Sequence, residues 1–438
     1  MAVPKIWERP ALGVAVIIVL IAVPWRTGGE GAEVAHVTLP DIAAATLAGI
    51  VAVRTLVLGD QGRLRSWVIL PLAGVVVAGS VATLTASDPA ASISGLVRYA
   101  EIFVVVPAAT YLALQSRRDL KLILAVVIAL GVFEGAIGVY QFFTGTGAAI
   151  GGANARAVGT FGAYNIMGLA NVVTYALIAA TATFVGLQDG RRLWGLLLML
   201  ALLFPLAFSL SRGAWIAAAV GVMVVVALGD WKKLVFFVLV GGLALVITSG
   251  VVTPGGPASG DPGVTTERLN SLYSVGSTPD QSTLDRYAMW QAARGMWADH
   301  PLTGVGLKNF PHFRDVYAPL SFSGGSDIQD SDGFRRVELL SPHNLYWLVL
   351  AEQGLVGAFA YGALFLSLGI AGFKRLPKLE ESSVERVFAL SSLGLLASYL
   401  ISSVYGDVGG STMVLDAVVL FGGLVWLASG TQLNEEIN

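Results

Sequence analysis

The 438-residue chain contains no cysteine. Disulfide frameworks, thiol nucleophiles and Cys-based zinc or iron–sulfur sites are therefore excluded. Histidine is scarce as well: His36, His300, His312 and His343 are too few and too scattered for a His-rich metal site. Charged residues make up only 13% of the chain, against about 25% in a soluble protein. Twenty-seven Lys and Arg nearly balance twenty-nine Asp and Glu, for a formal charge of −2. That leaves no basic excess with which to hold nucleic acid. Walker, Rossmann, HExxH and Asp-rich metal motifs are missing too.

What the chain has is apolar length. It is 55% hydrophobic, with a mean hydropathy of +0.72. A membrane span needs roughly 20 apolar residues. Stretches of that kind fall at 11–25, 41–58, 67–86, 95–114, 120–143, 164–187, 192–210, 214–229, 233–252, 344–371, 387–405 and 413–429. The expectation is an all-α polytopic membrane protein of about twelve transmembrane helices. The first stretch follows Lys5 and Arg9 like a signal peptide, but it has no clear small-residue cleavage site and is read as a retained helix.

Basic residues in the loops set the orientation. With the N-terminus in the cytoplasm, the cytoplasmic segments hold fifteen: Lys5, Arg9, Arg63, Arg65, Arg117, Arg118, Lys121, Arg191, Arg192, Lys232, Lys233, Lys374, Arg375, Lys378 and Arg386. The short external loops hold three, Arg26, Arg156 and Arg212. Both termini are then cytoplasmic, and the chain divides into nine spans over 1–252, an external loop subdomain over 253–342, and three spans over 343–438. The loop opens on a Pro/Gly-rich stretch from Thr253 to Gly263. Ser282-Thr283-Leu284-Asp285 reads as a capping box, starting a helix that runs to about Trp297. Arg286, Trp290, Ala293 and Trp297 share one face of it, as in a helix lying at the membrane interface. A tight turn from His300 to Gly306 follows, then an acidic polar stretch from Ser326 to Asp332.

Candidate chemistry gathers on the outer side. In Ser341-Pro342-His343-Asn344 the sequence reads as an N-cap Ser and an N1 Pro, placing His343 in the first turn of the tenth span. The positive helix end there disfavours imidazolium, and a neutral imidazole can accept a proton from a hydroxyl. It can equally be a polar residue solvating a helix start. Arg156, Arg212 and Arg286 stand on the side where positive charge is discouraged. Guanidinium groups bind phosphate oxygens through two parallel hydrogen bonds, although contact with lipid headgroups is the blander reading. Within the spans, Arg98 and Glu101 are spaced to pair on one helix face, and Glu134 has no evident local partner. Such groups usually face an interior cavity, so Arg98, Glu101, Glu134 and Asn344 are supporting candidates. Arg54, near a cytoplasmic helix end, is expected to snorkel.

Five segments together resemble the O-antigen ligase and polymerase superfamily: Arg156 to Asn165, Ser211-Arg212-Gly213, Asp285 to Ala292, His300 to Phe310, and Pro342 to Gly357. Each is short and degenerate; their order, and the placement of the last three around one long external loop, carries the resemblance, which covers roughly 150–360. It implies a fold related to the C-type membrane glycosyltransferases. It also implies glycan transfer from undecaprenyl pyrophosphate on the outer face of the bacterial cytoplasmic (inner) membrane, without metal or other cofactor. The family's essential histidine falls on His343, and its essential arginines on Arg212 and Arg286, with Arg156 less surely aligned. The implied reaction inverts the anomeric centre, with His343 as base and the arginines neutralising the departing pyrophosphate.

Within that superfamily a ligase transfers finished glycan to lipid A–core and a polymerase joins repeat units to another glycan. One long external loop favours the ligase; the only other sizeable candidate, between the last two spans, is about seven residues long. A transporter or flippase for a lipid-linked oligosaccharide would use twelve spans and intramembrane charges equally well. No internal repeat, and no pair of Gly/Pro-broken spans in matching halves, supports it.

Overall fold

The computed structural model describes residues 9–23, 26–27, 37–58, 67–150, 153–162, 167–230, 232, 281–320, 322, 325–330, 333–406 and 412–430. Over these the protein is an all-α polytopic membrane protein. Eight helices are long and apolar enough to cross a bilayer: α2 (Leu39–Leu58), α4 (Pro89–Ala113), α5 (Arg117–Thr144), α6 (Gly168–Gly186), α7 (Arg191–Phe208), α8 (Arg212–Asp230), α11 (Leu345–Arg375) and α12 (Val384–Ser402). Three shorter apolar helices, α1 (Ala11–Leu20), α3 (Ile69–Leu84) and α13 (Met413–Ser429), occupy the positions of three more expected spans. The expected span 233–252 and the opening of the long loop, 253–280, lie outside the described residues. From the rest of that loop come α9 (Gln281–Asp299) and the short α10 (Phe310–Tyr317).

Local chemistry sets several boundaries. Ser116 and Asp119 form a reciprocal capping box at the start of α5, and Gly145, at φ 69°, ends it. Asp88 caps α4 through Ala91 N, with Pro89 in the first turn. Both α4 and α13 contain a π-helical segment, Glu101–Val105 and Asp416–Phe421. Each segment begins on a carboxylate inside an apolar run.

The helix ends sort into two groups. At one end Arg9 lies 3.7 Å from Asp119, and Arg117 pairs with Glu385 at 2.5 Å. Gln188 N there donates to Ser382 Oγ. Arg54 does not simply snorkel: its guanidinium donates to Gln115 Oε1 at 3.1 Å at this same end. At the other end Thr160 Oγ1 donates to Ala22 O, Ala157 N to Phe208 O, and Leu345 N to Ser403 O.

The long loop builds a packed unit. Met289, Ala292, Ala293 and Met296 on α9, spaced at three and four residues, pack with Val305, Phe310, Leu339, Leu348 and Ala351 into a second small core. This stripe shares Ala293 with the Arg286–Trp297 face and otherwise lies beside it. Residues 326–330 of the acidic stretch fall on an antiparallel hairpin. Its strands, Gly325–Asp330 and Gly333–Glu338, pair from Gly325↔Glu338 to Asp330↔Gly333. Two smaller hairpins join Arg26–Thr27 to Val37–Thr38, and Ala148–Ile150 to Ala153–Arg156.

Helix α11 is broken at Gly354, whose φ of 59° and ψ of −154° are non-helical. The turn from His300 to Gly306 fills the break. Val305 N and Gly306 N donate to Ala351 O and Glu352 O, while Leu355 N and Val356 N donate to Pro301 O and Leu302 O. Every backbone group freed by the kink at these positions finds a partner, which a membrane interior requires. Glycine is obligatory on both sides. A Cβ on Gly354 would stand 2.4 Å from Leu302 C, and one on Gly304 2.3 Å from Glu352 C. Asn309, fully buried, then bolts the loop to the start of α4: its amide donates to Ser92 Oγ and Leu307 O, and its oxygen accepts from Asp88 N.

Candidate functional site

His343 precedes α11 rather than sitting in its first turn. The cap is Asn344, whose Oδ1 accepts from Trp347 N at 3.0 Å, so Ser341 is not the N-cap and Pro342 is not N1. Asparagine caps as well as serine, and the sequence offered both. His343 itself is left-handed, with φ 46°, a conformation that costs a non-glycine residue about 1–2 kcal/mol. Its surroundings enforce it. His343 N donates to Ser341 Oγ, Trp290 Nε1 donates to Pro342 O at 3.0 Å, and Leu345 N is tied to Ser403 O at 2.8 Å. Further back, Arg314 Nη1 donates to Leu339 O at 3.0 Å. The same guanidinium hydrogen bonds to Asp315 and holds that carboxyl below its ordinary range. A strained residue over-determined by its neighbours is a recurrent feature of functional sites.

Arg156, Arg212 and Arg286 reach this end from separate elements. Arg286 stands one turn before Trp290 on α9, and so on the side of that helix whose indole holds Pro342. Arg212 is the first residue of α8, not part of a free turn. Its neighbour Gly213 lies under Tyr405, where a Cβ would come within 3.1 Å of the ring. Tyr405 is two residues beyond Ser403, the partner of Leu345. Arg156, buried at the end of its hairpin, has Nη2 3.9 Å from Met167 Sδ, and Ser211 Oγ lies 3.2 Å from the same sulfur. Contacts of their sequence neighbours thus place the segments carrying Arg286, His343, Arg212 and Arg156 at one end of the helices.

The intramembrane candidates are held elsewhere. Arg98 pairs with Glu101 at 2.7 Å as the spacing suggested, and also with Asp41 at 2.6 Å. Asp41 in turn accepts from Thr38 N and Oγ1. The sequence reading missed Asp41 because it lies 57 residues away on another helix. Glu134 has partners after all: Thr160 N at 2.9 Å and Thr160 Oγ1 at 2.7 Å. His300 is exposed with its ring edge-on to Phe313, and His312 lies 3.3 Å from Asp88 Oδ2. Glu352 is buried and accepts from Phe310 N at 3.2 Å. A further polar pair was overlooked: Tyr175 on α6 donates to Asp416 on α13 at 2.5 Å. The signal was a lone Asp in an apolar run. Among the described residues, no group of three His, Asp or Glu side chains could hold a metal ion.

Residues 194–362 match the family model described as O-Antigen ligase. The matched stretch is less than half of the chain and runs from α7 into α11. It includes Arg212, Arg286 and His343 and leaves out Arg156. Among curated proteins, none matches the chain.

Proposed function

We propose that the chain is a glycosyltransferase of the O-antigen ligase type. It transfers a glycan from undecaprenyl pyrophosphate to an acceptor hydroxyl, with lipid A–core as the acceptor, on the outer face of the bacterial cytoplasmic membrane. The observation that carries this reading is the match of residues 194–362 to the O-Antigen ligase model, a stretch that contains His343, Arg212 and Arg286. Both termini are cytoplasmic in this reading, the outer end is the one bearing His343, and 253–342 is an external subdomain between two membrane parts. Kinship with the C-type membrane glycosyltransferases belongs to the same proposal.

The chemistry follows from the side chains. The acceptor O–H gives its proton to the His343 imidazole as its oxygen attacks the anomeric carbon. A new C–O bond forms on the face opposite the leaving group, and the bond from the anomeric carbon to the pyrophosphate oxygen breaks. Undecaprenyl pyrophosphate departs with the electron pair. Arg212 and Arg286, with Arg156 beside them, neutralise it through forked hydrogen bonds that strengthen as charge develops. General-base assistance contributes about 10²–10⁴ in rate; charge stabilisation in a water-poor setting is the larger part.

The test is purified protein in liposomes with undecaprenyl-pyrophosphate glycan and lipid A–core. A new glycosidic bond is the expected result. Donor crossing the bilayer with no new bond would make the chain a transporter, and glycan extended on the carrier instead of moved to lipid A–core would make it a polymerase.

A further inference from the structure

Along α5, Gly131, Glu134, Gly135, Gly138 and Gln141 recur at three- and four-residue spacing and so share one face. The glycines let other elements come close: a Cβ on Gly131 would meet Ala176 Cβ at 2.2 Å, and one on Gly138 would meet Leu169 Cδ2 at 2.8 Å and Ala157 Cβ at 3.3 Å. The two polar residues of that face both reach the segment that follows Arg156. Gln141 Oε1 accepts from Val158 N at 3.0 Å and Gly159 N at 2.8 Å, and its Nε2 donates to Gly159 O at 2.9 Å. Glu134, with no solvent exposure, accepts from Thr160 N, and its Oε1 lies 2.7 Å from Thr160 Oγ1. The approach is tight enough that Gly159, at φ 62°, admits no side chain: a Cβ would lie 2.2 Å from Glu134 Oε2.

We propose that Glu134 and Gln141 are positioning residues that set residues 157–160 against α5 and thereby hold Arg156 at the donor pyrophosphate. The inference rests on reading Arg156 as a phosphate ligand. Glu134 Oε2 accepts from Thr160 N and Oε1 lies 2.7 Å from Thr160 Oγ1, so we read the side chain as a fixture of the loop and not the base of the transfer. Gln141, two turns along the same face, closes a second anchor around Gly159. Arg156 itself is joined to the rest of the site by Ala157 N donating to Phe208 O and by the Met167 sulfur it shares with Ser211. The arginine is therefore held on both sides of one short loop.

Thr160 Oγ1 has a single proton but two oxygens at 2.7 Å, Ala22 O and Glu134 Oε1. An amide at position 134 supplies the second donor while keeping an acceptor for Thr160 N. Glu134→Gln should therefore rescue what Glu134→Ala loses. The experiment uses the full-length protein in liposomes, with donor and acceptor varied separately. Glu134→Ala and Gln141→Leu should each raise the KM for donor about tenfold and leave the KM for acceptor unchanged. In an Arg156→Ala background neither should add anything, because residues acting as one unit are not additive. A cysteine at Val158, buried in the wild-type loop, should become reactive in Glu134→Ala and stay protected in Glu134→Gln. Glu134→Gln as damaging as Glu134→Ala would show that the carboxylate acts chemically, and overturn the proposal. So would a Glu134→Ala penalty undiminished by loss of Arg156. An active Arg156→Ala beside an inactive His343→Ala would overturn it while leaving glycan transfer intact; no transfer by the wild type would remove the function itself.

Discussion

His343 is held at φ 46°, where a Cβ is disfavoured. Glycine visits that region without a Cβ penalty, so His343→Gly should be about 1 kcal/mol more stable than His343→Ala, read as the difference between their thermal midpoints in detergent. Both variants should lose transfer by roughly 100-fold or more. Equal midpoints would mean that the backbone there is relaxed. The wild-type rate should fall on acidification, because a base already carrying the proton cannot take one. Arg212→Lys and Arg286→Lys keep the charge but lose the planar fork, and transfer should fall about tenfold or more in each. Arg54→Lys, at the far end of the bundle against Gln115, is the control and should turn over like the wild type. The sequence singled out His343 and the arginines as candidates. The backbone of His343 was not legible there: Ser341-Pro342 and Asn344 are competing helix starts, and packing of Trp290 and Ser403 decides between them.

Among the elements, α11 and the turn that enters it depend most on each other. Gly354→Ala places a Cβ 2.4 Å from Leu302 in a left-handed backbone, and should destabilise the protein by about 2–4 kcal/mol. Gly362→Ala on the same helix meets nothing within 4 Å and should be neutral or slightly stabilising. Thermal unfolding of the pair checks this; equal midpoints would mean that the loop does not fill the break. The sequence showed the glycines of 300–306 as a turn and the apolar run after Asn344 as a span. It did not show that one completes the other, because hydropathy counts a broken helix and a whole one alike. The same blindness hid the π-helical segments beginning at Glu101 and Asp416. On α5 the sequence showed Glu134 as a lone carboxylate without a local partner; what it faces comes from a loop 26 residues on.

At the scale of the molecule, Arg9, Arg54 and Arg117 stand at one set of helix ends and Arg156 and Arg212 at the other, among the described residues; hydropathy and loop charge predict that the first set is cytoplasmic. Cysteine labelling is clean because the chain has none of its own. Exposed Thr146 and Asp189 lie at opposite ends. A cysteine at 146 should react with an impermeant reagent from outside, and one at 189 only after the membrane is opened. The reverse pattern would put His343 in the cytoplasm. The central claim is that His343 performs proton transfer at a site where arginines hold the donor. The most direct measurement compares donor binding and glycan transfer for wild type and His343→Ala in the same liposomes. Donor affinity retained, with transfer reduced by roughly 100-fold or more, is the predicted result. Full transfer by His343→Ala would contradict the account.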